Sequence, residues 1–162
     1  MRIRTRRTKT TLTYAAVLLS SVGLSLATAG PAAAADGVWG NYGNTNPITS
    51  SPSEWKCDST VTVFPQVGAQ ACAVRSESGT SVQGAVIVRN NSSNVARASV
   101  TMTLRNPNGT EAGTWRCSET DVKANSWFVC FGETIRKLGD VRTSAAGTFN
   151  GDTLGIGVSP YV

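Results

Sequence analysis

Histidine is absent from this 162-residue sequence, and the other residue types that do chemistry show no catalytic spacing. Without histidine the chain lacks Ser-His-Asp and Cys-His nucleophile systems, the commonest metal ligand and the usual proton shuttle near neutral pH. Paired carboxylates serve glycosidases, but the candidates here lie near turns with no sign of a shared cleft: Glu111, Glu119, Asp121 and Glu133. The sequence therefore predicts no enzyme, no cofactor and no metal site.

One short catalytic motif is present by spacing alone. Ser53-Glu54-Trp55-Lys56 matches the S-x-x-K of the penicillin-recognising serine enzymes. That motif has to open a buried helix and to meet S-D-N and K-T-G partners. Here it ends a Ser/Pro-rich stretch beside Cys57, and the partners are missing. We interpret it as a chance match.

The four cysteines, Cys57, Cys72, Cys117 and Cys130, form an even set that allows three pairings. We favour Cys57–Cys72 and Cys117–Cys130, because each pair flanks one hairpin-sized segment. Each bridge would close a loop of about 15 residues, which is worth about 3 kcal/mol in the chain-entropy model. A zinc site is disfavoured, because there is no C-x-x-C and no histidine to complete it.

The first 35 residues read as a secretory signal peptide. A basic head precedes a short apolar run that ends in Gly30-Pro31 and four alanines, and these are the three parts of such a signal. An N-terminal membrane anchor is the alternative, although the apolar run is short for a span of about 20 residues. We expect cleavage after Ala34 or Ala35 and a secreted, extracellular protein. Arg6-Arg7 leaves the choice between general and twin-arginine export open.

Cleavage removes the positive charge of the chain. Five of its fifteen basic residues lie in the signal, whereas all ten acidic residues follow it. The mature 127-residue chain is therefore neutral, unlike a nucleic-acid binder with its basic stripe. We expect neither nucleic acid nor, after signal cleavage, a membrane as partner.

From residue 55 onwards the sequence alternates in the manner of β-strands. The clearest strand covers residues 96–105, where Ala, Val, Met and Leu alternate with Arg, Ser and Thr, a half-buried antiparallel pattern. Asn150-Gly151 predicts a tight hairpin. Further strands are predicted at 59–64, 70–75, 81–89, 114–117, 126–131, 141–149 and 153–158. About seven or eight short strands without a convincing helix indicate a single antiparallel, Ig-like β-sandwich over residues 55–162.

Residues 36–54 read as a flexible, extended N-terminal arm. Gly, Asn, Ser and Pro dominate this segment, so we expect no regular element of useful length before Trp55. Val38, Trp39 and Tyr42 nevertheless lie in it, and Trp and Tyr are preferred anchors in protein interfaces. We therefore predict that these three residues bind a partner protein. The alternative is that they dock on their own domain.

The remaining aromatic residues have a structural and a functional interpretation. Trp115 and Trp127 each stand near a cysteine in a predicted strand, which favours core packing against a disulfide. Together with Tyr161 they are also the candidates for an exposed row of aromatic rings, which a carbohydrate-binding module needs.

Several segments resemble small secreted proteins of Streptomyces-type bacteria: the alanine-rich signal, the arm, Cys57, and residues 70–75, 86–92 and 126–131. Among these, the chain most resembles the adaptor, or strap, subunit of umbrella toxin particles. That resemblance implies a non-enzymatic bridge in an antibacterial particle. Its partners would be a lectin-bearing subunit and the repeat-built stalk of a large toxin subunit.

Three classes of function follow from the sequence. A protein-binding adaptor is favoured by the aromatic arm and the neutral mature charge. A secreted inhibitor of a hydrolase is the second class, and it should present a rigid loop and tolerate loss of residues 36–50. A carbohydrate-binding module is the third.

Overall fold

A computed structural model describes residues 34–162 of the chain, and every regular element in this part is a β-strand. The predicted signal peptide therefore lies outside the described residues, apart from its last two positions. No helix that could span a membrane occurs between residues 34 and 162. The strands are β1 Ala35–Asp36, β2 Val38–Gly43, β3 Glu54–Cys57, β4 Val61–Phe64, β5 Val67–Arg75, β6 Ser81–Asn90, β7 Ala96–Arg105, β8 Glu111–Val122, β9 Ser126–Phe131, β10 Ile135–Arg136, β11 Arg142–Phe149 and β12 Asp152–Val158.

The strands form two sheets packed as a sandwich, which confirms the predicted fold class. The five-stranded sheet has the order β1-β8-β7-β11-β12. The seven-stranded sheet has the order β2-β9-β6-β5-β3, with β4 also paired to β5 and β10 to β6. All pairs are antiparallel except β1 with β8, which is parallel. The two disulfides are Cys57–Cys72 and Cys117–Cys130, as predicted.

The main core lies between the two sheets and follows from the alternation of the strands. In β7, Val100, Met102 and Leu104 are buried, whereas Thr101 is exposed. Burial of one such apolar side chain contributes about 1.5 to 3 kcal/mol. The predicted Asn150-Gly151 hairpin joins β11 to β12, and both residues have positive φ angles, 49° and 99°.

The segment before Trp55 differs from its prediction as a flexible arm. Val38–Gly43 is extended, as expected, but it forms strand β2 along the edge of the seven-stranded sheet, paired with β9. The prediction that no regular element precedes Trp55 is therefore wrong. Local composition disfavours a strand here, but pairing with β9 and packing of two aromatic side chains override that preference. The following residues form a turn, in which Ser50 N donates to Asn46 O at 3.2 Å.

Strands β1 and β2 close one side of the sandwich by passing from one sheet to the other at Gly37. Gly37 N donates to Arg116 O at 2.9 Å. The Cys117–Cys130 bridge joins β8 to β9 beneath this crossing. A Cβ atom on Gly37 would lie 2.8 Å from Cys117 Sγ and 2.8 Å from Phe131 O. The crossing therefore requires glycine, because any other residue would collide with the bridge or the neighbouring backbone.

Candidate functional site

A second apolar cluster covers the outer face of the seven-stranded sheet. Its buried members are Cys72, Val74, Ala85, Ile87 and Val129, and the half-buried side chains packed on them include Tyr42, Ile48, Trp55, Trp127 and Phe131. The central strands β5, β6 and β9 are thus apolar on both faces. An outer sheet face this rich in aromatic residues is where a binding surface is expected.

A cleft of about 350 Å³ opens beside this cluster. Ile87 and Trp127 form an apolar part of its lining, on β6 and β9. Gly68 and Gln70 line it from β5. The remaining lining residues are polar and complete its rim: Thr60, Arg89 and Asn91. Apolar walls with a few convergent polar groups are typical of ligand sites, so we take this cleft as the candidate site.

Arg89 is the charged group of the cleft, and its neighbours hold it in place. Arg89 and Trp127 are cross-strand partners on β6 and β9. The Arg89 guanidinium lies over the Trp127 ring, with Cζ 5.1 Å from the ring centroid. Arg89 Nε donates to Asn91 Oδ1 at 2.6 Å. Arg89 Nη1 is buried and has no hydrogen-bond partner among the described residues.

The wall opposite Trp127 is built by the loop between β3 and β4. Gln70 Nε2 donates to Asp58 O at 2.9 Å, which ties this loop to β5. Thr60 lies directly over Gly68, where an added Cβ would stand 2.6 Å from Thr60 Cγ2. Asp58 Oδ2 accepts from Val158 N at 3.0 Å, so the same loop also contacts the other sheet. The wall is therefore fixed by hydrogen bonds to β5 and β12 and by the packing of Thr60 on Gly68.

The three predicted partner-binding residues do not converge on this cleft. Trp39 packs on the core between the sheets, and its Nε1 donates to Ser118 O at 2.7 Å. Tyr42 packs on the outer cluster, with its ring centroid 6.4 Å from that of Phe131. Val38 is 70% exposed. Two of the three residues thus dock on their own domain, which was the alternative interpretation, and Val38 is the most exposed of the three.

The other sequence candidates are also dispersed. Trp115 is buried in the main core. Trp127 lines the cleft, and Tyr161 lies beneath the Arg142 guanidinium instead. The row of exposed rings expected for a carbohydrate-binding module is therefore not formed.

Two of the acidic candidates form ion pairs at the surface. Glu111 pairs with Arg105 at 2.8 Å, and Glu119 lies 3.9 Å from Arg97. Lys56 of the S-x-x-K match pairs with Glu54 on strand β3, at 2.9 Å. Within residues 34–162, no three His, Cys, Asp or Glu side chains are grouped as metal ligands.

Sequence reasoning missed Arg89, Gln70 and Asn91 as site residues. Each lies in or beside a predicted strand, and nothing in its local pattern marks it. They meet only because β5, β6 and β9 are neighbours in the sheet.

Comparisons with known proteins identify no family. No protein-family model and no curated protein matches the chain. Among solved structures it is similar to a Bacteroides uniformis β-glucuronidase, with a TM-score of 0.39 and 17% identity over 67% of this chain and 12% of the enzyme. A calcium-binding mutant of β-glucuronidase 2 from that organism gives a TM-score of 0.38 at 17% identity, over 67% of this chain and 13% of that one. The chain thus spans about an eighth of these enzymes, and the similarity does not bear on its function.

Proposed function

We propose that this chain is a secreted, non-catalytic adaptor that binds another protein along the free edge of strand β2. The observation that carries the proposal is the exposure of that edge. Strand β2 ends the strand order of its sheet and pairs with β9 alone among the described strands. An extended segment of a partner would add to this edge as a further strand, through main-chain hydrogen bonds.

The composition of β2 supports this role. Free sheet edges are usually protected by charged residues, proline or bulges. Strand β2 contains neither a charged residue nor a proline, whereas the edge strand β3 carries Glu54 and Lys56. The register of β2 shifts only near its end, between Asn41 and Gly43. Residues 38–41 therefore form the unprotected part of the edge, and exposed Val38 lies at its start.

The proposal that the chain is secreted and non-catalytic rests on the sequence and on the disulfides. Two disulfides are typical of an oxidising compartment, and the signal pattern of residues 1–35 directs a chain out of the cell. The absence of histidine favours binding over hydrolysis. The resemblance to strap subunits of umbrella toxin particles supplies candidate partners, a lectin-like subunit and a large repeat-built toxin subunit.

Affinity capture from the native culture supernatant tests the proposal. The tagged mature protein is expected to recover two other secreted proteins in stoichiometric amounts. Val38→Lys places a charge on the free edge and should reduce the capture of one partner at least about tenfold. Val95→Lys is the matched control, because Val95 is 55% exposed but lies in a loop outside β2. It should leave capture unchanged.

Three outcomes would contradict the adaptor proposal. Recovery of one hydrolase alone would indicate an inhibitor. Recovery of no protein would contradict a protein-binding role. Equal capture by both lysine variants would place the contact away from β2. Thermal unfolding of each variant verifies that a loss of capture is not a loss of folding.

A further inference from the structure

The cleft beside Trp127 carries one positive charge that its own residues do not balance. Its lining contains Arg89 and no acidic side chain. None of the three ion pairs in the described part of the chain involves Arg89. Arginine is the residue that proteins use most often to recognise carboxylates and phosphates in a planar, two-point geometry. The charge of the cleft therefore fits an anionic ligand.

The hydrogen bonding of Arg89 indicates where that ligand would sit. Asn91 and the Trp127 ring orient the guanidinium from two sides. Nη1 remains buried without an acceptor, and a buried charged donor without a partner is unfavourable. Because Nη1 is shielded from solvent, the guanidinium would have to shift slightly before Nη1 could donate to an oxygen of a ligand in the cleft. Asn91 and the Trp127 ring limit that shift.

The volume of the cleft and the position of Arg89 over the Trp127 ring favour one class of acidic ligand. The cleft of about 350 Å³ is at the small end of ligand sites, which suits one side chain better than a long oligomer. A sugar acid would stack its ring on an exposed aromatic face. The Arg89 guanidinium already lies over the Trp127 ring and leaves that position occupied. The neighbouring apolar surface of Ile87 suits the methylene groups of an acidic side chain.

We propose that this cleft binds a carboxylate group of a partner polypeptide, with Arg89 as the anchor. The inference rests on the proposed protein-binding function and names a second contact of the same partner surface. Gly43, the last residue of β2, faces Trp127 across the β2–β9 pair. A partner segment that pairs with β2 and then turns across the sheet at Gly43 would therefore reach the cleft.

Titration of the isotope-labelled mature protein with small probes tests the inference by NMR. The probes are the capped peptide Ac-Gly-Glu-Gly-NH2, its Gln counterpart and glucuronate. We expect saturable shifts of the Trp127 indole N–H and the Asn91 side-chain amide with the Glu peptide only. Arg89→Gln should raise the dissociation constant about tenfold or more. Arg97→Gln, which alters an exposed arginine of the other sheet, should leave it unchanged.

Each remaining outcome decides against the inference. Saturation by glucuronate alone would identify a sugar-acid site, and the absence of saturation by every probe would exclude an anion site in the cleft. If Arg89→Gln fails to fold, Asn91→Ala replaces it, because exposed Asn91 only orients the guanidinium. That variant should weaken Glu-peptide binding several-fold, and unchanged binding would overturn the assignment.

The two proposals fail separately. If the protein captures partners in stoichiometric amounts but binds no Glu peptide, the adaptor proposal stands and the cleft is not part of the partner interface. If the protein binds the Glu peptide specifically but captures no partner, the carboxylate site stands and the adaptor proposal is contradicted. The wild-type protein is used for both readouts, so no variant has to carry the comparison.

Discussion

At the residue scale, Trp39 shows how a side chain predicted to anchor a partner serves the domain itself. Its ring packs on the core between the sheets, and its indole bonds to a carbonyl of β8. We expect Trp39→Ala to lower the free energy of unfolding by about 2 kcal/mol, less than for a fully buried Trp because Trp39 is half-buried. The thermal midpoint should fall by several degrees. Val38→Ala is the control, since Val38 is 70% exposed and its replacement should change the midpoint little. An unchanged midpoint in the Trp39 variant would show that the ring is free to bind elsewhere.

At the element scale, the two disulfides make different connections although their loops are of similar length. Cys117–Cys130 spans the two sheets with a separation of 13 residues, and Cys57–Cys72 joins adjacent strands of one sheet with a separation of 15. Loop closure alone predicts nearly equal losses of about 3 kcal/mol each. Cys117 and Cys130 are fully buried, however, whereas Cys57 is only half-buried. Replacing Cys117 and Cys130 with alanine leaves a void between the sheets. It should lower the free energy of unfolding by about 1 kcal/mol more than replacing Cys57 and Cys72. Urea unfolding measures both, and equal midpoints would contradict the packing difference.

The same scale shows which parts of the fold can be predicted from sequence. Strands such as β7 are predictable, because their apolar period is local and one face is buried. Strand β2 is not, since Gly and Asn dominate it and its stability comes from β9, almost ninety positions further along the chain. Strands β1 and β10 have two residues each, which is too short for a period. The disulfide pairing followed from the short spacing of the cysteines. The cleft could not be predicted from the sequence, because Gln70, Arg89 and Trp127 are brought together only by the order of the strands in the sheet.

At the scale of the whole molecule, the folded domain begins earlier in the chain than the sequence predicted. The sequence predicted a domain from residue 55 with a flexible arm before it, but the described residues belong to one compact unit. Residues 36–54 contribute the strand that covers β9, the crossing between the sheets and Ile48 of the outer cluster. Their removal would expose the edge of β9 and uncover both apolar clusters. An exposed apolar edge of this kind is prone to aggregation.

We therefore expect a chain that begins at residue 55 to lose at least about 10 °C in its thermal midpoint, or to fail to fold. A chain that begins at residue 36 is the control and keeps both disulfides and strand β2. Thermal unfolding followed by near-UV circular dichroism, with binding of an apolar dye, distinguishes a loosened core from an intact one. If the shortened chain has an unchanged midpoint and binds no dye, residues 36–54 are an arm separate from the folded domain, as the sequence predicted. That result would also favour the inhibitor, which should tolerate the loss of residues 36–50. Neither the edge of β2 nor its link to the cleft would then belong to the folded domain.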